Sequence, residues 1–162
     1  MPADPIAERI AQEFTRRVEH VSEDNGYALT LSVTRPIGKA RDVAPKHLLC
    51  VVQQASPEID EKNTVDGQGY APALVLPLVA TILVMPSEGD ATPIDTYINR
   101  IAADVIKATA APDDWQTFGG LAINARFLPP EIFEHSDGSF DGVSVICEVT
   151  YRTEERNPYQ AR

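Results

Sequence analysis

The chain has 162 residues, of which 43% are hydrophobic and 23% charged, a composition typical of one soluble globular domain. Twenty-four acidic residues against 14 basic ones leave a net charge of −10, which excludes a general nucleic-acid binder because such proteins need basic surface. The longest apolar run, residues 73–85, is too short for a membrane helix of about 20 residues, and the N-terminus lacks a signal-peptide pattern, so we expect no membrane segment.

The first predicted element is a helix over residues 5–21. Asp4 offers an N-cap and Pro5 a first-turn proline. Glu13 and Arg17 are one turn apart in the favourable order for an ion pair. The helix is predicted because apolar residues recur every three or four positions, which is typical of an amphipathic helix: Ile6, Ile10, Phe14, Val18 and Val21.

Three strands are predicted next. Residues 27–34 alternate between apolar and polar side chains, which indicates a strand with one face in water. Residues 47–54 are nearly all apolar and indicate a strand covered on both faces. Residues 55–70 are polar and predict a long loop. Residues 73–85 predict a long strand in which Pro77 marks a bulge, a bend or an edge position.

The second half of the chain predicts one helix and two strands. Thr92 and Pro93 form a helix start signal, and the helix ends before Pro112. The element order therefore predicts an α+β domain: a mostly antiparallel sheet of about five strands with two helices packed on it. Residues 119–128 and 142–153 are the two strands, with Leu121, Ile123, Ala125 and Phe127 on one face of the first, and Val143, Val145, Cys147, Val149 and Tyr151 on one face of the second.

Candidate catalytic and metal-binding residues are few and scattered. The three histidines fall in three different elements, and none has the i, i+4 spacing of a helical metal pair. Glycine-rich phosphate-binding motifs are absent from the sequence. We therefore expect no catalytic residue, no metal and no cofactor. The acidic connection before the last strand has three interpretations: a solvated loop, a metal site built from Glu131, Glu134 and His135, or an enzyme site that adds Asp137 to these three.

The two cysteines, Cys50 and Cys147, both fall inside apolar strand-like runs. Two interpretations fit this placement: buried free thiols in a reducing compartment, or a disulfide between neighbouring strands. We interpret both residues as structural rather than catalytic.

A basic loop is the first candidate contact site. Residues 35–46 hold four of the 14 basic residues, whereas acidic residues collect in other loops. Such a separation of charge is typical of a surface that meets a complementary one. The four candidates are Arg35, Lys39, Arg41 and Lys46.

The closing stretch VTYRTEERNPYQAR is the second candidate contact site. It begins as a strand and becomes polar after Thr153. Residues 154–162 therefore predict either a frayed tail or a C-terminal arm that docks on a neighbour. The candidate contact residues here are Arg152, Arg156 and Tyr159.

The chain resembles the small tail-terminator, or tail-completion, proteins of tailed bacteriophages. The resemblance covers most of residues 1–162, as one domain, and rests on the element order and the acidic, loop-rich middle. It rests further on the second helix TPIDTYINRIAADVIKA and on the closing VICEVTYRTEERNPY, a valine-rich last strand that ends in Tyr-Arg-Thr before a proline.

This resemblance implies a structural role in the virion tail or neck, assembled in the host cytoplasm. Such proteins form a ring, usually a hexamer, on the end of the tail tube, stop its polymerisation and meet the head-side connector. The partners implied are copies of the chain, the tube protein and the connector, with DNA passing through without sequence-specific binding. The alternatives are another neck or baseplate component, or a small cytoplasmic inhibitor or binding module.

Overall fold

The computed structural model describes residues 4–36, 44, 46–65, 71–85, 91–134, 141–154 and 157–161. These residues form two helices and a mostly antiparallel sheet, which confirms the predicted α+β class. The strands number eight in the described part of the chain, against the five or so predicted. In chain order the elements are α1 Ile6–Glu19, β1 Ser32–Thr34, β2 Leu49–Gln54, β3 Glu58–Val65, β4 Ala71–Val84, α2 Ile94–Ala110, β5 Asn124–Phe127, β6 Glu131–Glu134, β7 Asp141–Glu154 and β8 Asn157–Ala161.

Two long antiparallel strands, β4 and β7, form the centre of the sheet. Their pairing runs without a break from Ala73 opposite Arg152 to Val84 opposite Asp141. The outer side of β4 pairs with β2 and then with β3, and the outer side of β7 pairs with β5 and then with β6. Strand β1 lies outside β2 and parallel to it. Each long strand therefore carries two short strands end to end along its outer side.

Pro77 lies in the interior of β4 without a bulge, but on its outer side it faces the gap between β2 and β3, so it has the locally unpaired side that the predicted edge position implies. It pairs with Glu148 of β7 in unbroken register. Its carbonyl oxygen accepts from the backbone N–H of Ala55, at the point where β2 ends and β3 has not begun. Because N–H and C=O of one strand residue point to the same side, the missing N–H of the proline faces this gap. No ladder bond to β7 is lost.

Both helices cover the same face of the sheet and enclose one core. The predicted apolar stripe of α1 is confirmed, since all five of its residues are at most 1% exposed. The predicted buried face of the last strand is also confirmed, because these alternate residues of β7 lie in the same core. The strand residues that face the helices are Cys50 and Val52 of β2, Leu76, Leu78, Ala80, Ile82 and Val84 of β4, and Val143, Val145, Cys147, Val149 and Tyr151 of β7.

A buried arginine, Arg17, joins α1 to the end of α2. Its guanidinium lies 4.5 Å from the centre of the Phe118 ring and donates to the carbonyl oxygens of Thr109 and Trp115, at 3.1 and 3.3 Å. Its Nε lies 2.7 Å from the Glu13 carboxylate, as the sequence spacing predicts. The carbonyl of Thr109 belongs to the last turn of α2, where a cation is favourable.

The helix starts differ from the predicted caps. Pro5 is the N-cap of α1 and Pro93 that of α2, and neither has a side-chain cap hydrogen bond. The Asp4 carboxylate accepts instead from the Gln12 side chain, at 2.9 Å. A proline at these positions fixes the backbone φ angle for helix entry without supplying an acceptor.

The predicted strand over residues 27–34 shortens to β1. The backbone N–H of Ala28 donates to the Asp104 carboxylate of α2, at 2.8 Å, and that of Leu31 donates to Val21. These donors are therefore used by the helical layer and not by a strand ladder. The alternating pattern shows only that one face of the segment lies in the core. Both a strand and an irregular segment can have such a face, so the pattern does not distinguish them.

The strand predicted over residues 119–128 begins only at Asn124. Phe118, Gly119 and Gly120 all have positive φ angles, of 48°, 69° and 85°, so the chain turns before it extends. Leu121 and Ile123 therefore lie before the strand whose face they were predicted to share with Ala125 and Phe127, and Ile123 is 40% exposed.

Three strands lie where loops or tails were predicted. Strand β3 falls within the predicted loop at residues 55–70, and β6 falls within the acidic connection. Strand β8 folds back as a hairpin on β7 of its own chain, with Thr153 opposite Ala161 and Glu154 opposite Asn157. The described part of the predicted arm is thus an ordered strand in this chain rather than a frayed tail.

Arg17 and Arg16 form a matched pair for a stability test. Both contact Glu13, but the Arg17 side chain is 3% exposed and that of Arg16 is 66% exposed. We expect Arg17→Met to lower the free energy of unfolding by about 1–3 kcal/mol, because two carbonyl oxygens lose their donor. Arg16→Met should lower it by about 0–1 kcal/mol. Urea unfolding of both variants measures the difference, and equal losses would contradict the role assigned to Arg17.

Candidate interaction surfaces

The structure describes two of the four basic-loop candidates and separates them. The Arg35 guanidinium binds the Glu8 carboxylate of α1 through two bonds of 2.8 and 3.1 Å, and this hydrogen bonding lowers the pKa of Glu8. Lys46 is exposed and precedes β2. Because β1 and β2 are parallel, the residue after β1 and the residues before β2 lie at opposite ends of the pair. Lys39 and Arg41 lie outside the described residues.

The three C-terminal candidates are also spread out. Arg152 lies in β7, opposite Ala73, on the sheet face away from the helices, where it is half-buried. Tyr159 lies in β8 and is 47% exposed. Arg156 lies outside the described residues. The described candidates therefore do not form a single cluster, and their role in contacts stays a prediction.

A groove crosses the sheet face that lies away from the helices. It has a volume of about 540 Å³ and is lined by residues of β3, β4, β5 and β7. Arg126 of β5 binds Glu148 of β7 across it, at 2.6 Å. On the same face, the hydroxyl groups of Thr81 and Ser144 lie 3.2 Å apart. This groove is open and polar along β3 and suits a protein surface more than a small apolar ligand.

A second groove, of about 560 Å³, lies between α1 and the turn after α2. Three arginines line it: Arg9, Arg16 and Arg17. Hydrogen bonding from Arg16 is the largest effect on the pKa of Glu13; burial opposes it, and with the hydrogen bond from Arg17 and the two positive charges the pKa falls to about 2. Glu13 thus stays ionised and contacts both Arg16 and Arg17, and Asp114 is the second carboxylate that lines the groove with the three arginines.

The cysteines lie far apart and are free. Cys50 pairs with Ile82 of β4 and Cys147 with Leu78, so they are separated by two strand spacings across the sheet and four residues along it. Strand geometry puts their Cα atoms roughly 16 Å apart, against about 7 Å at most for a disulfide. The free-thiol interpretation is therefore confirmed. Burial raises the pKa of both thiols to about 12.

The alternative acidic site is not assembled by the described residues. Glu131 and Glu134 are exposed on β6, while His135 and Asp137 lie outside the described part of the chain. Within that part, no three histidine, cysteine, aspartate or glutamate side chains come together as a metal site. His47 has a structural contact: its Nδ1 accepts from the backbone N–H of Met85, at 3.1 Å.

Exposed isoleucines are the surface feature that sequence reasoning missed. Ile59 of β3 is 60% exposed, Ile123 before β5 is 40% exposed and Ile132 of β6 is 63% exposed. Single exposed apolar residues are common, but these three lie at the outer sides of the sheet. Ile59 stands among acidic residues in the sequence, a pattern that gives no signal of exposure until its strand is known to lie at an edge.

Sequence comparison places no further limit on function. No protein-family model and no curated protein matches the chain. Among the described residues, neither helix has the length and apolar character needed to cross a membrane.

The pKa of Glu13 predicts an acid-dependent part of the stability. Its value in the folded chain, about 2, is below the ordinary 4.5, so its contribution is present above pH 4.5 and is lost as the pH falls towards 2. We expect Glu13→Gln to destabilise the chain most at about pH 6 and less at about pH 3. Chemical unfolding at both values tests this, and a loss independent of pH would contradict it.

Burial of the thiols predicts slow modification in the folded chain. A pKa of about 12 leaves few thiolates at neutral pH. We expect Cys50 and Cys147 to react with iodoacetamide about a thousandfold more slowly in the native chain than in urea. Mass spectrometry measures the labelling, and fast labelling of one native thiol would contradict a purely structural role.

Proposed function

We propose that this chain is a structural subunit of a phage-type tail, which caps the tail tube as a ring and offers the joining surface to the head. What supports this function is the separation of charge between different sides of the fold. Glu58 and Glu61 are exposed on β3, which pairs with β4, whereas Arg126, 70% exposed, lies on β5 at the other side of the sheet, beyond β7. Two unlike patches on one chain fit a head-to-tail contact, in which each copy uses both.

The proposed role needs no catalytic group. The described histidine and cysteine side chains have structural contacts or are buried, and the grooves are open. The resemblance to tail-terminator proteins points to the same role and adds the partners: the tube protein, the head-side connector and copies of the chain, in a ring of hexameric type.

The net charge of −10 also suits a ring through which DNA passes. Acidic walls repel phosphate, so DNA moves along them without being held. We therefore propose that acidic side chains line the hole and that the basic loop faces protein, either the next copy or the tube. Lys39 and Arg41 belong to this loop and lie outside the described residues.

The function is tested with tail-tube protein of the same particle. Added in small amounts to polymerising tube protein, the chain should stop growth and leave ring density at one tube end in electron micrographs. Tubes that grow equally long with and without the chain would contradict the function. The native mass of the chain alone, measured across concentration, shows whether rings form without the tube as template.

The basic loop has its own test. Reversing the charge of Lys39 and Arg41 should weaken ring assembly or tube capping, because attraction to acidic residues is replaced by repulsion. Far-ultraviolet circular dichroism should show the same folded monomer. Capping that is unchanged at moderate salt would count against a role for this loop.

A further inference from the structure

We propose that copies of this chain join edge to edge, with β1 of one copy pairing antiparallel with β6 of the next. The β1 edge is the outer side of Ser32–Thr34, and the β6 edge is the outer side of residues 131–133. The pairing continues the sheet from one copy into the next. The inference deepens the proposed ring and rests on it only in taking a second copy as the partner.

The two edges lie at the same level over three rows of the sheet. Each row crosses β1, β2, β4, β7 and β6 in that order, because the registers of these strands agree. A row spans four strand spacings, about 19 Å. A second copy placed beside the first at this level therefore brings three residues of its β1 opposite three of β6. The rows are Ser32–Leu49–Leu83–Gly142–Phe133, Val33–Cys50–Ile82–Val143–Ile132 and Thr34–Val51–Thr81–Ser144–Glu131.

Strand direction allows the two edges to pair. Strand β1 is parallel to β2, whereas β2 is antiparallel to β4, β4 to β7, and β7 to β6. Strands β1 and β6 consequently run in opposite directions within one copy. A second copy in the same orientation sets its β1 antiparallel to the β6 of the first, with the helices of both copies on one side. This contact is head-to-tail, the type from which rings are built.

The backbone of Val33 directs its hydrogen-bonding groups out of the β1 edge. Ser32 donates its N–H to the carbonyl oxygen of Leu48, at 2.9 Å, so Ser32 and Thr34 face β2. The N–H and C=O groups of successive strand residues point to opposite sides, and those of Val33 therefore face outward. Among the described residues, β1 pairs only with β2, which leaves this donor and this acceptor without a ladder partner.

Ile132 has the same property on β6. The Leu128 N–H donates to the carbonyl oxygen of Ile146, at 3.0 Å, so Ile146 and alternate residues of β7 face β5 and β6. These alternate residues include the partners of Glu131 and Phe133. The N–H and C=O groups of Ile132, which lies between them, therefore face outward. In the central row, the outward-facing residues of β1 and β6 thus meet as a pair that exchanges two hydrogen bonds.

The side chains at the junction fit on both faces of the sheet. Ile132 lies opposite the core residue Val143 and is 63% exposed, and Val33 packs against the same core from β1. Pairing sets Ile132 beside Val33 and covers it. On the other face, Thr34 comes opposite Glu131 in a close, non-hydrogen-bonded pair, where its hydroxyl group can donate to the carboxylate. The junction therefore covers an exposed apolar side chain and gives Glu131 a donor.

Charge favours the same neighbour. Two β6 edges would bring the carboxylates of Glu131 and Glu134 together twice without a cation, whereas Ser32–Thr34 of β1 carries no charge. The β1–β6 placement also puts the exposed Arg126 on β5 of one copy about two strand spacings, or 10 Å, across from the acidic β3 of the next. Attraction between these unlike patches therefore supports the same contact.

The junction is limited to these three rows. Beyond one end, the Leu31 N–H already donates to the carbonyl oxygen of Val21, at 3.1 Å. Beyond the other end, Arg35 comes opposite Pro130, which has no N–H. Pairing of so few residues is marginal by itself, so the contact is weak between free copies and gains from anything that aligns them.

Disulfide trapping tests this pairing directly. A full chain with Thr34→Cys and Glu131→Cys holds the two new thiols about 19 Å apart within one copy, too far for an internal bond. Across the junction their Cα atoms are about 4.5 Å apart, within the range of a disulfide. Mild oxidation of concentrated chain, or of capped tubes, should therefore produce a series of covalent oligomers that reductant removes.

The matched control is Thr34→Cys with Glu134→Cys. Glu134 is also exposed on β6, but it lies three residues further along, and its side chain points to the opposite face of the sheet. This pair should give no covalent series, and neither should any of the three substitutions alone. A covalent dimer from Thr34→Cys alone would show that two β1 edges pair with each other and would overturn the proposal.

A second measurement uses sedimentation equilibrium. Ile132→Pro should weaken self-association about tenfold or more, because proline removes the outward N–H and leaves the ladder to β7 intact. Ile59→Pro is the matched control, because Ile59 is 60% exposed and its N–H also points away from its partner strand β4. It should leave self-association unchanged, and both variants should keep the urea midpoint of the parent chain. Ile132→Asp keeps the backbone donor and should weaken association as well, because a carboxylate replaces a covered side chain.

The outcomes separate this inference from the proposed function. Assembly or tube capping without the disulfide between positions 34 and 131 overturns the edge pairing and leaves the cap function standing. Disulfide-linked oligomers without any effect on tube growth support the pairing and contradict the cap function. A chain that neither associates nor forms these oligomers, alone or on tubes, overturns the pairing.

Discussion

The pairing of β4 with β7 is the constraint on which the remaining structure depends. Its unbroken register, from Ala73 opposite Arg152 to Val84 opposite Asp141, leaves one outer side on each strand. Close packing at one end requires Gly142, where a Cβ atom would lie 2.5 Å from the carbonyl oxygen of Ile82 and would also meet the Phe133 ring. Every other strand attaches to this pair directly or through β2, so the edges of the molecule are set by where the short strands stop.

The two helices cover one face of the sheet, and the other face and the strand edges are exposed. Arg17 ties α1 to the end of α2, and Asp104 ties α2 to the segment before β1. Both ties are buried, and both connect elements that are distant in sequence. Stability therefore resides in the core and these ties, whereas Ile59 and Arg126 contribute little to it. A surface of this kind can change without unfolding the chain.

Local periodicity predicted the elements that have one buried side. The stripe of α1, the long strand β4 and the alternation of β7 were all visible, because their apolar residues repeat at the spacing of the element. Strands β3, β6 and β8 were hidden, because both of their faces are largely in water, although each pairs with the strand next to it along the chain. The strand predicted over residues 27–34 shows the opposite error, because a strand was predicted where most of the segment is irregular. Leu31 in this segment is buried, but it lies before β1 and is not part of a strand. Periodicity records which side of a segment is buried, and it does not record backbone pairing between strands that lie in water on both faces.

The candidate surface residues were likewise predicted only in part from the sequence. Counting charges located the basic loop, but Arg35 is bound to Glu8 of its own chain, a pairing that no spacing rule predicts across 27 residues. The exposed Ile59 was invisible as a site, because an isoleucine among acidic residues has meaning only once its strand is known to lie at an edge. Sequence therefore indicated which charges exist, and the fold decides which of them face outward.

An acidic edge also explains how a chain with unpaired strands can avoid growing into fibres. Pairing at β3 must bring Glu58 and Glu61 out of water, and this cost is offset only where a cation and an apolar side chain meet them. These carboxylates thus disfavour wrong neighbours, and the short β1–β6 junction leaves association weak until something holds the copies in line. A tube end would hold them in line, because it presents several binding positions at one level, so assembly would begin there rather than in solution.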